Sequence, residues 1–383
     1  MTDEALPLAG LKVLDFSQNL PGPYATFLLS CWGADVVKVE PPKGDPGRFM
    51  EPFFSMVNRG KRSVVLDLRD AESRPHVEAL VRWADVLVEG FRPGVMERLE
   101  LDYPRAKALN PDLVYCSISA FGQEGPYRTH PGHDLNLQSL AGVSHLERDG
   151  KGEPGYSMLP IADLSSSLLA VSGICAARAK GGGAYLDVAM ADGVLSWVNV
   201  WGLGVDLAGG AKKQLGSGLL VDAITRPLLE FLARAKLYAM PHYGVFRCAD
   251  DRWISVGIVA EGHFWKALCE ELALGPMKKL PLAARIAAGP ALKPVVARRL
   301  RGRACDEWLR RFEEIGVPAS AVLSPEEAAG HPQVCARGLA DARGWMKSPL
   351  PGAVHPDTPA PKRGEHTDAI LAALTGEAAA PTL

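Results

Sequence analysis

The sequence predicts an α/β protein with an open parallel sheet in its first half and a smaller α+β domain behind it. Three observations carry this reading. Short β-rich runs alternate with apolar helical stretches from Leu11 to Leu207, the pattern of parallel β-α units. A Gly-rich stretch with Lys212 and Lys213, Ala208–Gly218, interrupts that pattern and reads as a connector. Beyond it, two β-rich runs flank Ala249-Asp250-Asp251-Arg252, a hairpin signal, and helical stretches follow.

In order, Leu11–Phe16 reads as a short buried strand, closed by the turn Ser17–Pro23 and followed by a helical stretch to about Trp32. Val36–Glu40, Ser63–Leu68, Asp85–Glu89 and Leu113–Ser119 read as further strands separated by helices. Leu164–Ala177 is strongly apolar and opens on Asp163, which the pattern places at a helix N-terminus, where the backbone dipole favours a carboxylate. Tyr185–Val188 is a strand and Met190–Leu207 a helix. In the second half, Tyr243–Arg247 and Trp253–Val259 form the hairpin, helices run from about His263 to Glu314, and Pro318–Leu323 resembles a strand. The tail His355–Arg363 is rich in proline and polar residues and reads as an extended arm, and Ala378–Ala380 as a frayed end. The expected division is a large domain over 1–207, a linker over 208–225, a small domain over 226–316, and a return segment with a C-terminal arm over 317–383.

The chain has 383 residues, 47% hydrophobic and 22% charged, with a formal net charge of −2, so neither disorder nor nucleic-acid binding through bulk charge is expected. Cys31, Cys116, Cys175, Cys248, Cys269, Cys305 and Cys335 are scattered and form no Cys-x-x-Cys pair, which argues against a disulfide framework, structural zinc or any other metal site. No positively charged leader precedes an apolar stretch, and no apolar run approaches the ~20 residues of a membrane span. A reduced, cytoplasmic protein without a membrane partner is the expectation.

Chemistry concentrates in Gly132-His133-Asp134-Leu135-Asn136 and, thirty residues after His133, Asp163. A histidine with an ordinary pKa near ~6.5 and a separate carboxyl near ~3.9 suit proton transfer or acyl chemistry; the same residues also suit helix caps. No Gly-x-Gly-x-x-Gly follows the first strand and no Walker motif is present; Gly181-Gly182-Gly183 precedes a strand and suits a flexible turn. Lys38, Lys43, Arg48, Arg59, Lys61, Arg62 and Arg92 cluster near predicted strand ends and are the one evident set for an anionic ligand.

Several segments together resemble the family III CoA-transferase (CaiB/BaiF) superfamily: Leu8–Asp15, Pro21–Ala25, Gly33–Pro41, Arg59–Ser63, Glu89–Val95, Phe121–Pro126, Gly132–Asn136, His331–Arg337 and Pro361–Asp368. That resemblance implies a Rossmann-like large domain, a small domain and an interlocked homodimer. It implies no prosthetic group, coenzyme A entering as part of an acyl-CoA thioester substrate. It also makes Lys38, Arg59, Arg62 and Arg92 candidates for the CoA phosphates. In the transferases the aspartate matching Asp163 is the acyl-accepting nucleophile; in the α-methylacyl-CoA racemases the residues matching His133 and Asp163 are opposed proton carriers. Asp134, in the same motif, joins the catalytic candidates.

The resemblance is nearest the racemase branch. Transferases commonly carry tyrosine where His133 stands, and the segment Ala239–Phe246 lacks the glycine run that shields an aspartyl intermediate in several of them. Two departures stand out. The racemases' Val-Gly-Ala-Ile-Glu-Pro-Gln-Phe, whose glutamate pairs with the histidine, is here Val256-Gly257-Ile258-Val259-Ala260-Glu261-Gly262-His263-Phe264, with Glu261 the match after one extra residue. Glu261 equally suits a cap on the helix that follows. Asp163 is followed by Ser165, Ser166 and Ser167 where glycines are common. The expected activity is 2-methylacyl-CoA racemisation by 1,1-proton transfer at the carbon next to the thioester, with CoA transfer through an aspartyl anhydride on Asp163 and a catalytically inactive CoA-binding protein as alternatives. The acyl group stays open, Tyr156, Met158, Leu159 and Leu220 being named as pocket residues only for their nearness to the motifs.

Overall fold

The computed structural model describes residues 5–147, 153–205, 240–340 and 347–376. The expected linker 208–225, Leu220, Ala239 and the Ala-rich end at 378–380 lie outside the described residues. Contacts divide the chain into two compact units, residues 1–200 with 337–383, and residues 201–336.

The larger unit is built on β1 (Lys12–Asp15), α1 (Pro21–Cys31), β2 (Asp35–Glu40), α2 (Glu51–Asn58), β3 (Arg62–Val65), α3 (Arg74–Trp83) and β4 (Val86–Glu89). It continues with α4 (Val95–Arg98), α5 (Tyr103–Leu109), β5 (Val114–Ser119), α6 (Asp134–Leu140), α7 (Val143–Leu146), α8 (Ile161–Lys180), β6 (Ala184–Ala189) and α9 (Met190–Val205). The six strands form one sheet in the order β3-β2-β1-β4-β5-β6, all parallel, which is the Rossmann order. Parallel strands are covered on both faces, so alternate residues enter two cores. Val13, Val36, Val86, Val88 and Val114 pack with Leu29 of α1 and Ile174 of α8. Leu14, Val37, Leu87 and Tyr115 pack on the other face with Leu80 of α3. Because β2 and β4 flank β1, the strand order reverses there, and the carboxyl ends of β1 and β4 form the crevice in which such sheets bind ligands.

A buried ionic network shapes that edge. Asp15, fully buried at the end of β1, accepts from Ser17 N at 2.9 Å, Thr26 Oγ1 at 2.6 Å and Lys61 Nζ at 3.0 Å. Lys61 Nζ also donates to Pro23 O and Asn58 Oδ1, each at 2.9 Å. Burial by itself would raise the Asp15 carboxyl, but Lys61 and Lys38 outweigh it and hold it below the usual carboxylate range. Burial pushes Lys61 down to about 8 against the pull of Asp15. The turn folds so tightly over this site that a Cβ on Gly22 would lie 2.1 Å from Ser17 Cβ, which only glycine avoids.

α8 spans the 20 residues Ile161–Lys180, longer than the apolar run read from the sequence, with a mean hydropathy of 1.3 over its most apolar window. By length and composition it suffices to cross a membrane; here Ala162, Ala170, Val171, Ile174 and Ala177 lie in the core. The return segment also differs from expectation. α16 (Thr367–Thr375, the helix closing the described chain), an element the sequence reading did not name, follows the extended arm and buries Ile370 against the α3 face.

In the smaller unit, β7 (Tyr243–Arg247), β8 (Trp253–Gly257) and β9 (Ala319–Ala321) form an antiparallel sheet in that order. α10 (Gly262–Glu271), α11 (Leu282–Ala287), α12 (Gly289–Leu300) and α13 (Cys305–Glu314) lie between β8 and β9, and Trp265, Leu268, Val296, Trp308 and Phe312 fill its core. Residues 317–336, read from the sequence as part of the return segment, belong to this unit, because β9 pairs with β8 and α14 (Pro325–Ala329) and α15 (Pro332–Ala336) follow it there.

Removing one partner of a buried ion pair strands the other charge, at a cost of about 3–5 kcal/mol. Asp15→Ala should lower unfolding free energy by that amount in urea titration; a loss under about 1 kcal/mol would show that the network is dispensable.

Candidate active site

Gly132-His133-Asp134-Leu135-Asn136 forms a helix start in which each residue has a local task. A Cβ on Gly132 would come within 3.0 Å of Ala120 Cβ and 3.1 Å of the Phe121 ring. His133 is the exposed N-cap of α6; its N–H donates to Asn136 Oδ1 at 3.0 Å and its carbonyl accepts from Asn136 N at 2.9 Å. Asp134, the first residue of α6, caps a different helix. Its Oδ1 accepts from Ala162 N at 2.6 Å and Asp163 N at 3.3 Å, the free amides in the first turn of α8, and its Oδ2 accepts from Gln138 Nε2. Gln138, itself buried, closes the arrangement by accepting from Ser157 N at 2.9 Å. His133 and Asp163 therefore stand at two helix starts joined by one carboxylate.

Asp163 is half-buried, and burial first and Asp134 second push its carboxyl up to about 7. The sequence led us to expect a helix dipole that favours the anion. Asp134 already occupies the amides of Ala162 and Asp163, so the helix terminus offers Asp163 a second negative charge where it would have offered bare N–H groups. The three serines are buried and turned onto backbone: Ser165 Oγ donates to Ala162 O at 3.1 Å and Ser166 Oγ to Asp163 O at 2.8 Å. Ser167 Oγ reaches both Asp163 O at 2.8 Å and Pro21 O at 2.7 Å, tying α8 to the β1–α1 turn. Tyr156, Met158 and Leu159 are exposed, Met158 at 84%.

The four candidate phosphate ligands are not brought together. Lys38 is fully buried, donating to Ser17 O at 2.7 Å and paired with Asp45 at 2.8 Å, which withdraws it from any ligand. Arg59 is buried beside His355 Nδ1, 3.3 Å away. Arg62 begins β3 and grips Asp35, the first residue of β2, through Nε at 3.0 Å and Nη2 at 2.6 Å. That pair sits at the amino ends of the strands, opposite the crevice. Arg92 follows the carboxyl end of β4, is exposed, and its guanidinium has no hydrogen-bond or ion-pair partner among the described residues. It lines a cavity of about 230 Å³ with Glu89, Met96, Tyr103, Ser117 and Gln123.

Glu261, in the smaller unit, is the N-cap residue of α10, yet its Oε2 turns back onto the amides of Val259 and Ala260, both at 2.9 Å. Those contacts hold it below the usual carboxylate range. A residue not singled out as a candidate is Glu89: burial, reinforced by Asp187, pushes its carboxyl up to about 7. Its signal is a charged residue that ends the apolar run Val86-Leu87-Val88.

The model of CoA-transferase family III matches residues 8–367. The chain belongs to CoA-transferase family III. Among its relatives, the acetyl-CoA:oxalate CoA-transferase of Acetobacter aceti is 34% identical over 90% of this chain and 87% of its own length. The succinate--glutarate CoA-transferase of Agrobacterium fabrum is 32% identical, covering 98% and 97%. The alpha-methylacyl-CoA racemase of Homo sapiens is 30% identical, covering 96% and 93%. Among solved structures, a CAIB/BAIF family protein from Brucella suis matches with a TM-score of 0.80 and 30% identity, covering 97% of this chain and all of that one. This family III protein thus has similar relatives with two different reactions.

The raised Asp163 pKa has a signed consequence. Its native value of about 7 exceeds the ordinary 3.8, so the stability it contributes is present below pH 4 and is lost as pH rises through 7. Asp163→Asn should therefore gain stability relative to the parent as pH is raised from 4 to 8, measured by denaturant melts. By carbon NMR the Asp163 carboxyl should titrate near 7, and lower in Asp134→Asn; an ordinary carboxylate midpoint would refute the assignment.

Proposed function

We propose that the protein is an acyl-CoA racemase or epimerase that inverts the carbon next to the thioester of a 2-methylacyl-CoA, with His133 and Asp163 as the two proton carriers. The observation that supports this most is the Asp163 carboxyl held near 7. Such a group is divided between acid and base at neutral pH, as proton transfer at carbon requires, whereas an acyl-accepting carboxylate attacks only as its anion. One carrier removes the C2 proton to leave an enolate thioester and the other delivers a proton to the opposite face, so the substrate gains and loses one proton. His133 is exposed at the start of α6, where a substrate can reach its ring. Asp134, next to His133 in the chain, holds the start of α8 that carries Asp163. The proposal makes no use of Glu261, and Arg92 is the cation it assigns to a CoA phosphate.

The names of the transferase relatives favour a second reading. There, anionic Asp163 attacks the thioester carbonyl, CoA leaves as its thiolate, and an aspartyl anhydride passes the acyl group on. Incubating a panel of acyl-CoA thioesters in deuterated water separates the two. Racemisation places deuterium at C2 and leaves no acyl adduct for hydroxylamine to trap on Asp163; rapid CoA transfer with no C2 deuterium would establish the transferase. His133→Ala should lower exchange by at least ~10²-fold, and near-parental exchange would remove His133 from the mechanism.

A guanidinium contact to phosphate contributes roughly 1.5–3 kcal/mol. Arg92→Ala should accordingly weaken CoA binding by about 10-fold or more in calorimetry, while Arg62→Ala leaves it unchanged. The reverse pattern would move the phosphate site to the amino edge of the sheet.

A further inference from the structure

Two of the motifs, Glu89–Val95 and Phe121–Pro126, are joined by the structure in a way the chemistry above does not explain. Register across β4, β5 and β6 places Glu89, Ser117 and Asp187 in a row on one face of the sheet. Ser117 Oγ donates its proton to Glu89 Oε1 and accepts from Gln123 Nε2 at 2.9 Å. The second oxygen of Glu89 accepts Phe91 N–H at 2.8 Å, which fixes the turn that carries Arg92. The backbone N–H of Gln123 donates to Asp187 Oδ2 at 2.9 Å. One residue therefore holds β5 by its side chain and β6 by its main chain.

Gln123 lies in the loop 120–133, which runs from β5 to His133. Its ends meet, since Gly132 lies against Ala120 and Phe121, and ring contacts of Phe121 with Tyr127 at 5.4 Å and of Tyr127 with His130 at 4.6 Å fill its middle. Such a closed loop behaves as one body, placed by whatever attaches it to the scaffold. Glu89 and Ser117 are buried, so an unpaired group there is costly and the row admits one arrangement. Residue choice at 123 is equally narrow. While Glu89 is ionised, the single proton of Ser117 is spent on it, so Ser117 meets residue 123 as an acceptor; an amide N–H donates to it and a carboxylate does not.

We propose that Gln123 is the positioning residue that fixes the His133 loop relative to the Arg92 turn, through Ser117 and Glu89 on the neighbouring strands. The inference rests on the proposed function in taking His133 and Arg92 as acting groups. Gln123→Met keeps the volume and removes the amide. It should melt within about 5 °C of the parent, yet lose on the order of 10- to 100-fold in kcat for α-proton exchange and bind CoA more weakly. Gln123→Glu should show the same loss at pH 8, where Glu89 is ionised and neither carboxylate can donate to Ser117. Parental kcat and CoA affinity in Gln123→Met would overturn the proposal, as would a lower melting temperature with no change in either, or parental kcat in Gln123→Glu at pH 8. If the parent shows no exchange with any thioester, the racemase reading fails by itself. CoA affinity and CoA-transfer rate in the same two variants then decide the positioning role by the same criteria.

Discussion

The buried pairing of Asp15 with Lys61 is the constraint on which the ligand edge of the sheet depends. Nucleotide-binding sheets of this order usually turn from the first strand into the first helix on glycines; here a charge does that work. Asp15 draws in Ser17, Thr26 and Lys61, Lys61 draws in Pro23 and Asn58, and Lys38 holds Ser17 from the side. The turn is thus fastened to α1, α2 and β2 at once. Ser167 then carries this rigidity to α8, since its hydroxyl bridges Pro21 and Asp163.

From that anchored edge the chemistry follows by electrostatics. Asp134 satisfies the first turn of α8 and, by doing so, denies Asp163 the hydrogen bonds that would have kept it an ordinary carboxylate. A single side chain thus places the second helix and adds to the rise that burial already gives the carboxyl upon it. Glu89 is tuned by the same means, burial with a carboxylate neighbour, at the end of a strand in the same sheet.

Much of the fold was legible in the sequence because parallel strands buried on both faces read as short apolar runs, and all six agree with the reading to within three residues at each end. Less regular features were not. α16 is nine residues long and follows a proline-rich arm, and β9 is three residues long and finds its partner some sixty positions away. His133 and Asp163 were visible as chemistry, but the state of Asp163 was not, since it depends on burial and on a carboxylate 29 residues distant. Cations were visible and their partners were not: Lys38 and Arg62 looked like phosphate ligands until Asp45 and Asp35 were seen to hold them.

Those two pairs bear on how sequence signatures in this family should be weighed. Lys38 and Arg62 lie within segments by which the family is recognised, yet Lys38 braces the ligand edge and Arg62 ties the first residues of two strands at the far edge. Purifying selection on thermal stability alone would keep them. A duplicated copy that had lost turnover would go on displaying this part of the signature for as long as it still folded, while His133, exposed at the start of α6 and outside that buried framework, would be free to drift.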